Sequence, residues 1–265
     1  MSPKRGLRSL SDLRDAATNV IGASLRPDRF RISSILPDQL GQLGGDFGGY
    51  HDQTHQILLR PDVWSTLELI LEGKRSQVDP YSSFTCVSTY HHEFVHAAGP
   101  DKVGGMFGHS SLRTGSMIDM VAARLLEEAA TELWNKRHFR AFVRDTGLAE
   151  RDARLAGFPF DSGYPEEVDA FERVLQAVSV ETAVGVDELI ALAARHVPDT
   201  RSSAIAGFLL DRCHVAGTKA QIAAKADAFS QLFAGMFRRF DSRSAQGEDV
   251  GHTEASRLVQ EIRGW

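Results

Sequence analysis

Five consecutive residues, His92-Glu93-Phe94-Val95-His96, form the pattern H-E-x-x-H and carry the clearest chemical signal in the sequence. On an α-helix, residues four apart lie on one face, so the rings of His92 and His96 can point at a single position. Two neutral imidazoles suit Zn²⁺, which takes nitrogen ligands at about 2.0–2.1 Å. The carboxylate of Glu93, next to the first histidine, can reach a metal-bound water rather than the metal. This arrangement predicts metal-assisted hydrolysis, in which zinc acidifies the water and Glu93 accepts its proton.

The residues around this pattern are mostly apolar, and they include Val87, Phe94, Val95, Ala97 and Ala98. A helix of this composition is expected to be largely buried, where histidine and glutamate side chains need polar partners. The alternative is an ordinary helix with two histidines on its surface. We expect Ser88 or Thr89 to cap the helix at its start and Gly99-Pro100 to end it.

A catalytic zinc usually has three protein ligands and a water, so the two histidines leave one ligand to be found. The metzincin pattern, H-E-x-x-H-x-x-G-x-x-H, matches at Gly99 but requires a histidine at position 102. That residue is Lys102, which cannot bind a metal while protonated, and Asp101 is one residue out of register. Residues 100–115, which include His109, are expected to form a loop that could rim an active site.

The next helix, predicted from Ser116 to His138, offers a better third ligand. Four residues at helical spacing form an apolar stripe that continues with two carboxylates: Val121, Leu125, Glu128 and Glu132. Buried carboxylates need a cation or a hydrogen-bond donor. Glu128 is therefore the expected third ligand. Glu132, one turn further on, is expected to accept the other ring N–H of His92 and so fix its tautomer.

Two alternatives remain for this second helix. If the helix is rotated from the expected orientation, Glu127 replaces Glu128 as the ligand. Glu128 and Glu132 can also both lie in solvent and pair with nearby basic side chains, which are those of Arg124, Lys136 and Arg137.

The two motifs together resemble those of the gluzincin metallopeptidases, the zincins of the thermolysin type. In that family, H-E-x-x-H on one helix is completed by a glutamate within E-x-x-x-D on the following helix. Here Glu128-Ala129-Ala130-Thr131-Glu132 is similar to the second element, with glutamate in place of aspartate. The resemblance covers roughly residues 45–140. It implies the core of a small intracellular zinc peptidase that acts on protein or peptide substrates.

The resemblance also implies one Zn²⁺ per chain and a role for Glu93 as the catalytic base. Gluzincins place a histidine or tyrosine donor near the zinc-bound oxyanion, supplied from a segment C-terminal to the zinc helices. Tyr164 and His214 are the candidates for this catalytic role here, but no motif locates the role, and we favour a packing or surface position for each.

The predicted fold class is α+β, with a zincin-like catalytic core that contains a small antiparallel or mixed sheet. Apolar spacing predicts an N-terminal helix over residues 9–25 and a short helix from Trp64 to Leu71. A polar connection is expected from Glu72 to Ser83. A strand is expected from Phe30 to Ile35, ended by Pro37, and we interpret the glycine-rich segment Gly41–Gly49 as a flexible connector.

A hairpin is predicted between Gly48 and Pro61, with its turn at Asp52-Gln53. An edge strand beside a zinc helix could pair with an extended peptide substrate, although the strand can equally be an ordinary part of the sheet. We interpret His51 and His55 as solvated strand residues rather than metal ligands.

The remainder of the sequence predicts an all-α half. Helices are expected from Pro165 onward, over Val186–His196, over Ser202–His214 and over Lys219–Phe240, after a loop with a polar helical patch at 146–162. The predicted domains are a catalytic core over residues 1–145, a helical subdomain over 146–245 and a polar, frayed tail over 246–265.

Composition narrows the class of partner. The chain of 265 residues has a net charge of −5, which gives no reason to expect nucleic acid or an anionic membrane. Two cysteines do not make a disulfide framework, and the N-terminus lacks the apolar core of a signal peptide.

We therefore expect a cytoplasmic zinc-dependent peptidase, with export by a signal-less route left open. The alternative is a regulatory or toxin-associated binding module that keeps the zincin fold without general proteolysis.

Overall fold

The computed structural model describes residues 7–25, 32–44, 46–51, 54–98, 117–194, 196, 198–212, 217–240 and 245–263. These residues are mostly helical and include one small mixed sheet, which confirms the α+β class. The chain forms two compact units. The first comprises Met1–Ser110 and Asn135–Phe160, and the second comprises Ser111–Trp134 and Asp161–Trp265.

The sheet of the first unit has three strands, β1 (Ser34–Pro37), β2 (Gly48–His51) and β3 (Gln56–Leu59), in the order β1-β3-β2. The central strand β3 runs parallel to β1 and antiparallel to β2, so the predicted hairpin is confirmed. Its turn residues, Asp52 and Gln53, lie outside the described residues. The first strand begins four residues later than the predicted start at Phe30, which also lies outside them.

Two helices flank the sheet. Helix α1 (Leu10–Ser24) begins where the apolar spacing predicted, because the hydroxyl of Ser9 accepts a hydrogen bond from the N–H of Asp12 at 3.2 Å. Helix α2 (Pro61–Leu71) begins three residues earlier than predicted. The ring of Pro61 both stops β3 and sets the backbone for a first helical turn, a position where its missing N–H costs nothing.

Helix α3 (Pro80–Ala97) carries the H-E-x-x-H motif, and its predicted cap was wrong. The helix begins within the segment expected to be a polar connection, which keeps only a 3₁₀ turn at Arg75–Gln77. The carboxylate of Asp79 accepts the N–H of Ser82 at 2.9 Å, and hydrogen bonds from Ser82 lower the pKa of Asp79. Ser88 and Thr89 lie inside the helix, because Pro80 at its first position and Asp79 before it make an earlier start favourable.

Helix α4 (Met117–Thr146) extends beyond its predicted end at His138. Phe139, Phe142 and Val143 are buried, so the apolar face continues for two further turns. The helix ends at Gly147, whose φ of +89° lies in the left-handed region that glycine adopts without strain. Two short helices, α5 (Leu148–Arg151) and α6 (Arg154–Gly157), lie within the segment expected to be a loop with a helical patch.

The second unit contains helices α7 (Pro165–Thr182), α8 (Val186–Ala194), α9 (Pro198–Arg212), α10 (Lys219–Phe240) and α11 (Ala245–Arg263). The predicted helices of this half are present, and Phe229, Phe233 and Phe237 form the buried side of α10. The segment expected to be a frayed tail is instead helix α11, which packs against α7 and α10 and buries Ala255 and Leu258.

Among the residues that the structure describes, no helix combines the length and the apolar composition that crossing a membrane requires.

Candidate metal centre

Helix α3 packs against α1, α2 and the edge strand β2 in the first unit. Tyr90 and Phe94 are fully buried on this helix, as the apolar composition around the motif predicted. His92 and His96 are half-buried, one turn apart on the same face. Their Nε2 atoms lie 2.9 Å apart, and their rings meet at 75° with centroids 4.6 Å apart. The two imidazoles therefore converge on one position, as the motif spacing requires.

The separation of these two nitrogens can be compared with that in a zinc site. Two Zn–N bonds of about 2.0–2.1 Å at a tetrahedral angle place their nitrogens about 3.3 Å apart. The rings of His92 and His96 need only a small outward rotation from their 2.9 Å contact to reach that distance. Residue types and spacing both fit zinc.

Glu128 on α4 completes a group of three. One ligand atom from each of His92, His96 and Glu128 lies within 4.8 Å of the others, and all three side chains are half-buried. Within the described part of the chain, this is the one group of three histidine, cysteine or carboxylate side chains with such spacing. Two imidazoles and one carboxylate form one of the donor sets that catalytic zinc uses when one position stays open for water.

The environment of the neighbouring glutamates differs from the simple stripe predicted for α4. Glu127 and Glu132 are 3 % and 5 % exposed, so both are more buried than the half-buried Glu128. The helix is enclosed on several faces at this level, which a single apolar stripe does not anticipate. The backbone N–H of Gly163 donates a hydrogen bond of 3.3 Å to Oε1 of Glu132. The contact of Glu132 with His92 stays a prediction.

Glu93, the expected base, is buried with 6 % of its surface exposed, and it lies against the edge strand. A β-carbon on Gly48 would meet Cγ of Glu93 at 2.9 Å and its Oε1 at 3.2 Å. Gly48 and Gly49 belong to β2, so the interpretation of this glycine segment as a flexible connector was wrong at its end. Because Gly48 has no side chain, β2 approaches the motif helix closely at this point.

A second polar set lies in the core beside the motif, and sequence reasoning missed it. Nδ1 of His91 lies 2.7 Å from Oδ1 of Asn135 on α4, while Nδ2 of Asn135 donates to Oγ of Ser88 at 2.9 Å. The ring of His91 stacks on Phe142, with centroids 4.2 Å apart. Asn135 follows Glu128 by seven residues, so continuing the helical stripe by two turns would have found it.

The structure also describes the surroundings of Tyr164, His51 and His55. Tyr164 is half-buried and precedes α7, where its backbone N–H donates to Oγ of Ser162 at 3.1 Å. His51 and His55 hydrogen-bond within the hairpin, to Thr54 Oγ1 and to Tyr50 OH, respectively. His214 lies outside the described residues, as do Asp101, Lys102 and His109. The oxyanion role of Tyr164 and His214 therefore stays a prediction.

No protein-family model, no curated protein and no solved structure matches the chain.

Proposed function

We propose that this chain is a zinc-dependent peptidase of the gluzincin type, with one Zn²⁺ held by His92, His96 and Glu128. The observation that carries the proposal is the convergence of these three donors within 4.8 Å. The buried Glu93 beside the first ligand adds the base that peptide hydrolysis requires.

The bound metal and Glu93 have separate roles in the proposed hydrolysis. Zn²⁺, when bound, supplies a Lewis acid that acidifies water and polarises the scissile carbonyl. Glu93 accepts the proton of the attacking water and then delivers it to the leaving amine. Its burial against Gly48 removes competing solvent and limits the positions that its carboxylate can take.

The edge strand supports a peptide rather than a compact small molecule as substrate. Among the strands that the structure describes, β2 pairs with β3 alone, and each residue of β2 is half-buried. An extended peptide can therefore add to β2 by main-chain hydrogen bonds. Since Gly48 of this strand touches Glu93, a substrate backbone paired there would pass beside the base.

The test combines metal analysis with a Glu93→Gln variant, which keeps the size of the side chain and removes its basicity. Wild type is expected to hold about one Zn²⁺ per chain and to cleave members of a peptide library, detected by mass spectrometry. The variant is expected to keep zinc and to lose about 10²–10⁴-fold in rate. Folded wild type that holds no zinc would refute the proposal. Zinc-loaded wild type that cleaves no peptide would favour the regulatory module.

A further inference from the structure

We propose that Ser88, His91 and Asn135 position the third zinc ligand, by fixing α4 against α3 in the single register that brings Glu128 to the two histidines. We refer to these three residues as the register set. The inference rests on the proposed zinc site and adds to it the residues that select Glu128 from among its neighbours.

The register set is a specific polar contact in an apolar core. Asn135 is 0 % exposed, His91 is 1 % exposed and Ser88 is 7 % exposed. The amide nitrogen of Asn135 faces both Oγ and the carbonyl oxygen of Ser88, at 2.9 and 3.3 Å. A carbonyl oxygen only accepts, so the amide oxygen must be the atom that faces His91. His91 therefore donates from Nδ1 at 2.7 Å, and both amide ends are satisfied.

The position of the register set relates it to the ligands through helix geometry. Asn135 and Glu128 are two turns apart on the continuous helix α4, about 10 Å along its axis and only about 20° apart in angle. On α3, Ser88 lies one turn before His92, and His91 is the residue directly before His92. The contact between the two helices therefore lies about one turn from His92 along α3 and two turns from Glu128 along α4.

A slip of α4 by one residue would break this contact and change the ligand. Such a slip rotates a helix by about 100° and moves it about 1.5 Å along its axis. It would replace Glu128 by Glu127 or Ala129 and leave the buried amide of Asn135 without partners. Apolar neighbours such as Val143 fill space but tolerate sliding better, whereas a buried amide defines one register.

The test measures zinc affinity by competition with a chromophoric chelator in the full chain. Asn135→Leu, which roughly keeps the side-chain volume, is expected to weaken zinc binding about 10–100-fold, the size of loss found when a group that orients a metal ligand is removed. The absorption spectrum of Co²⁺-loaded protein should change with it. The matched control is Val143→Ala, a truncation on the same helix that lowers the melting temperature but leaves zinc affinity and the Co²⁺ spectrum as in wild type.

A second variant keeps the test decisive if Asn135→Leu does not fold. Ser88→Ala removes one hydroxyl and is expected to weaken zinc binding several-fold, and Ser88→Thr, which keeps the hydroxyl, should restore wild-type affinity. Wild-type affinity in Asn135→Leu or in Ser88→Ala would overturn this inference while the zinc site stands. An equal loss in Val143→Ala would also overturn it. Failure of wild type to bind zinc would refute the proposed function and this inference with it.

Discussion

Gly48 of the edge strand lies against Glu93 of the motif helix so closely that a β-carbon at position 48 would sit 2.9 Å from Cγ of Glu93 and 2.9 Å from Cγ2 of Thr89. Gly48→Ala must therefore displace the base or the strand. We expect it to lower peptide cleavage on the order of 10²-fold, because a displacement of about 1 Å at a reacting group has that effect. Zinc content should stay near one per chain, since His92 and His96 are untouched.

The control for this prediction is Gly157→Ala, because a β-carbon at Gly157 would meet nothing within 4 Å. This variant should cleave the same library at the wild-type rate. Adding Thr89→Ser to Gly48→Ala removes one of the two obstructions and should restore only part of the activity. Full activity in Gly48→Ala alone would show that the close approach to Glu93 has no role in positioning it.

The choice of carboxylate ligand can be tested on adjacent positions of α4. Glu128→Gln is expected to lose most zinc affinity, because it removes a negatively charged ligand from the metal. Glu127→Gln is the matched control on the next residue and should retain zinc, although its side chain is the more buried of the two. Equilibrium dialysis with metal analysis would measure both. Retention of zinc in the first and loss in the second would reverse the assignment.

The same measurement extends to the remaining candidate ligands. Glu132→Ala should cost on the order of 10–100-fold in affinity or activity, as expected for a group that orients a ligand. Asp101→Ala and Lys102→Ala should leave zinc content unchanged, because the metzincin register fails at position 102. Zinc loss in Asp101→Ala would contradict the ligand set proposed above.

The buried thiol of Cys86 is expected to be inert. Burial raises its pKa from 9.0 to about 11, so its thiolate is about 100-fold scarcer at neutral pH than that of an exposed cysteine. In a Cys213→Ser background, labelling by a disulfide reagent should proceed at least about 100-fold more slowly in native protein than in denaturant. Equal rates in the two states would contradict this burial. Cleavage that survives Cys86→Ser would further separate the metal chemistry from a thiol nucleophile.

The end of helix α7 stores backbone strain that a single substitution should release. Ala183 follows the helix with φ of +55°, a left-handed conformation that costs a residue with a β-carbon roughly 1–2 kcal/mol. Ala183→Gly should raise the free energy of unfolding by roughly 0.5–1 kcal/mol after the larger entropy of unfolded glycine is subtracted. Ala224→Gly, at an exposed position inside α10, should instead lower it by about 1 kcal/mol. Denaturant titration of both variants would measure the difference in sign.

The features that sequence reasoning predicted well are those that local patterns specify. The spacing of His92 and His96 requires a helix for both rings to meet, and the hairpin before it follows from two short apolar runs between glycine and proline. Helix α10 has the predicted bounds, because Ile222, Ala226, Phe229, Phe233 and Phe237 recur at helical spacing along it.

The features that it missed depend on contacts between distant segments. The register set joins Ser88 to Asn135, 47 positions away. The stripe on α4 extends to Asn135, but no local pattern pairs that residue with Ser88. The close packing of Gly48 on Glu93 is of the same kind, because the local context of a glycine-rich segment favours a loop. The burial of Glu127 was missed because α4 is enclosed on several faces, whereas the predicted apolar stripe assumed that only one face of the helix is buried.

Each compact unit is built from two stretches of chain, and this has a consequence for synthesis on the ribosome. The first unit takes Met1–Ser110 and then Asn135–Phe160, which emerges after a stretch that belongs to the second unit. Until that later stretch appears, the nascent motif helix lacks Phe142, on which His91 stacks, and Asn135, which accepts its N–H. The growing chain therefore displays an apolar, half-covered helix for part of its synthesis, a state that attracts chaperones and aggregates readily.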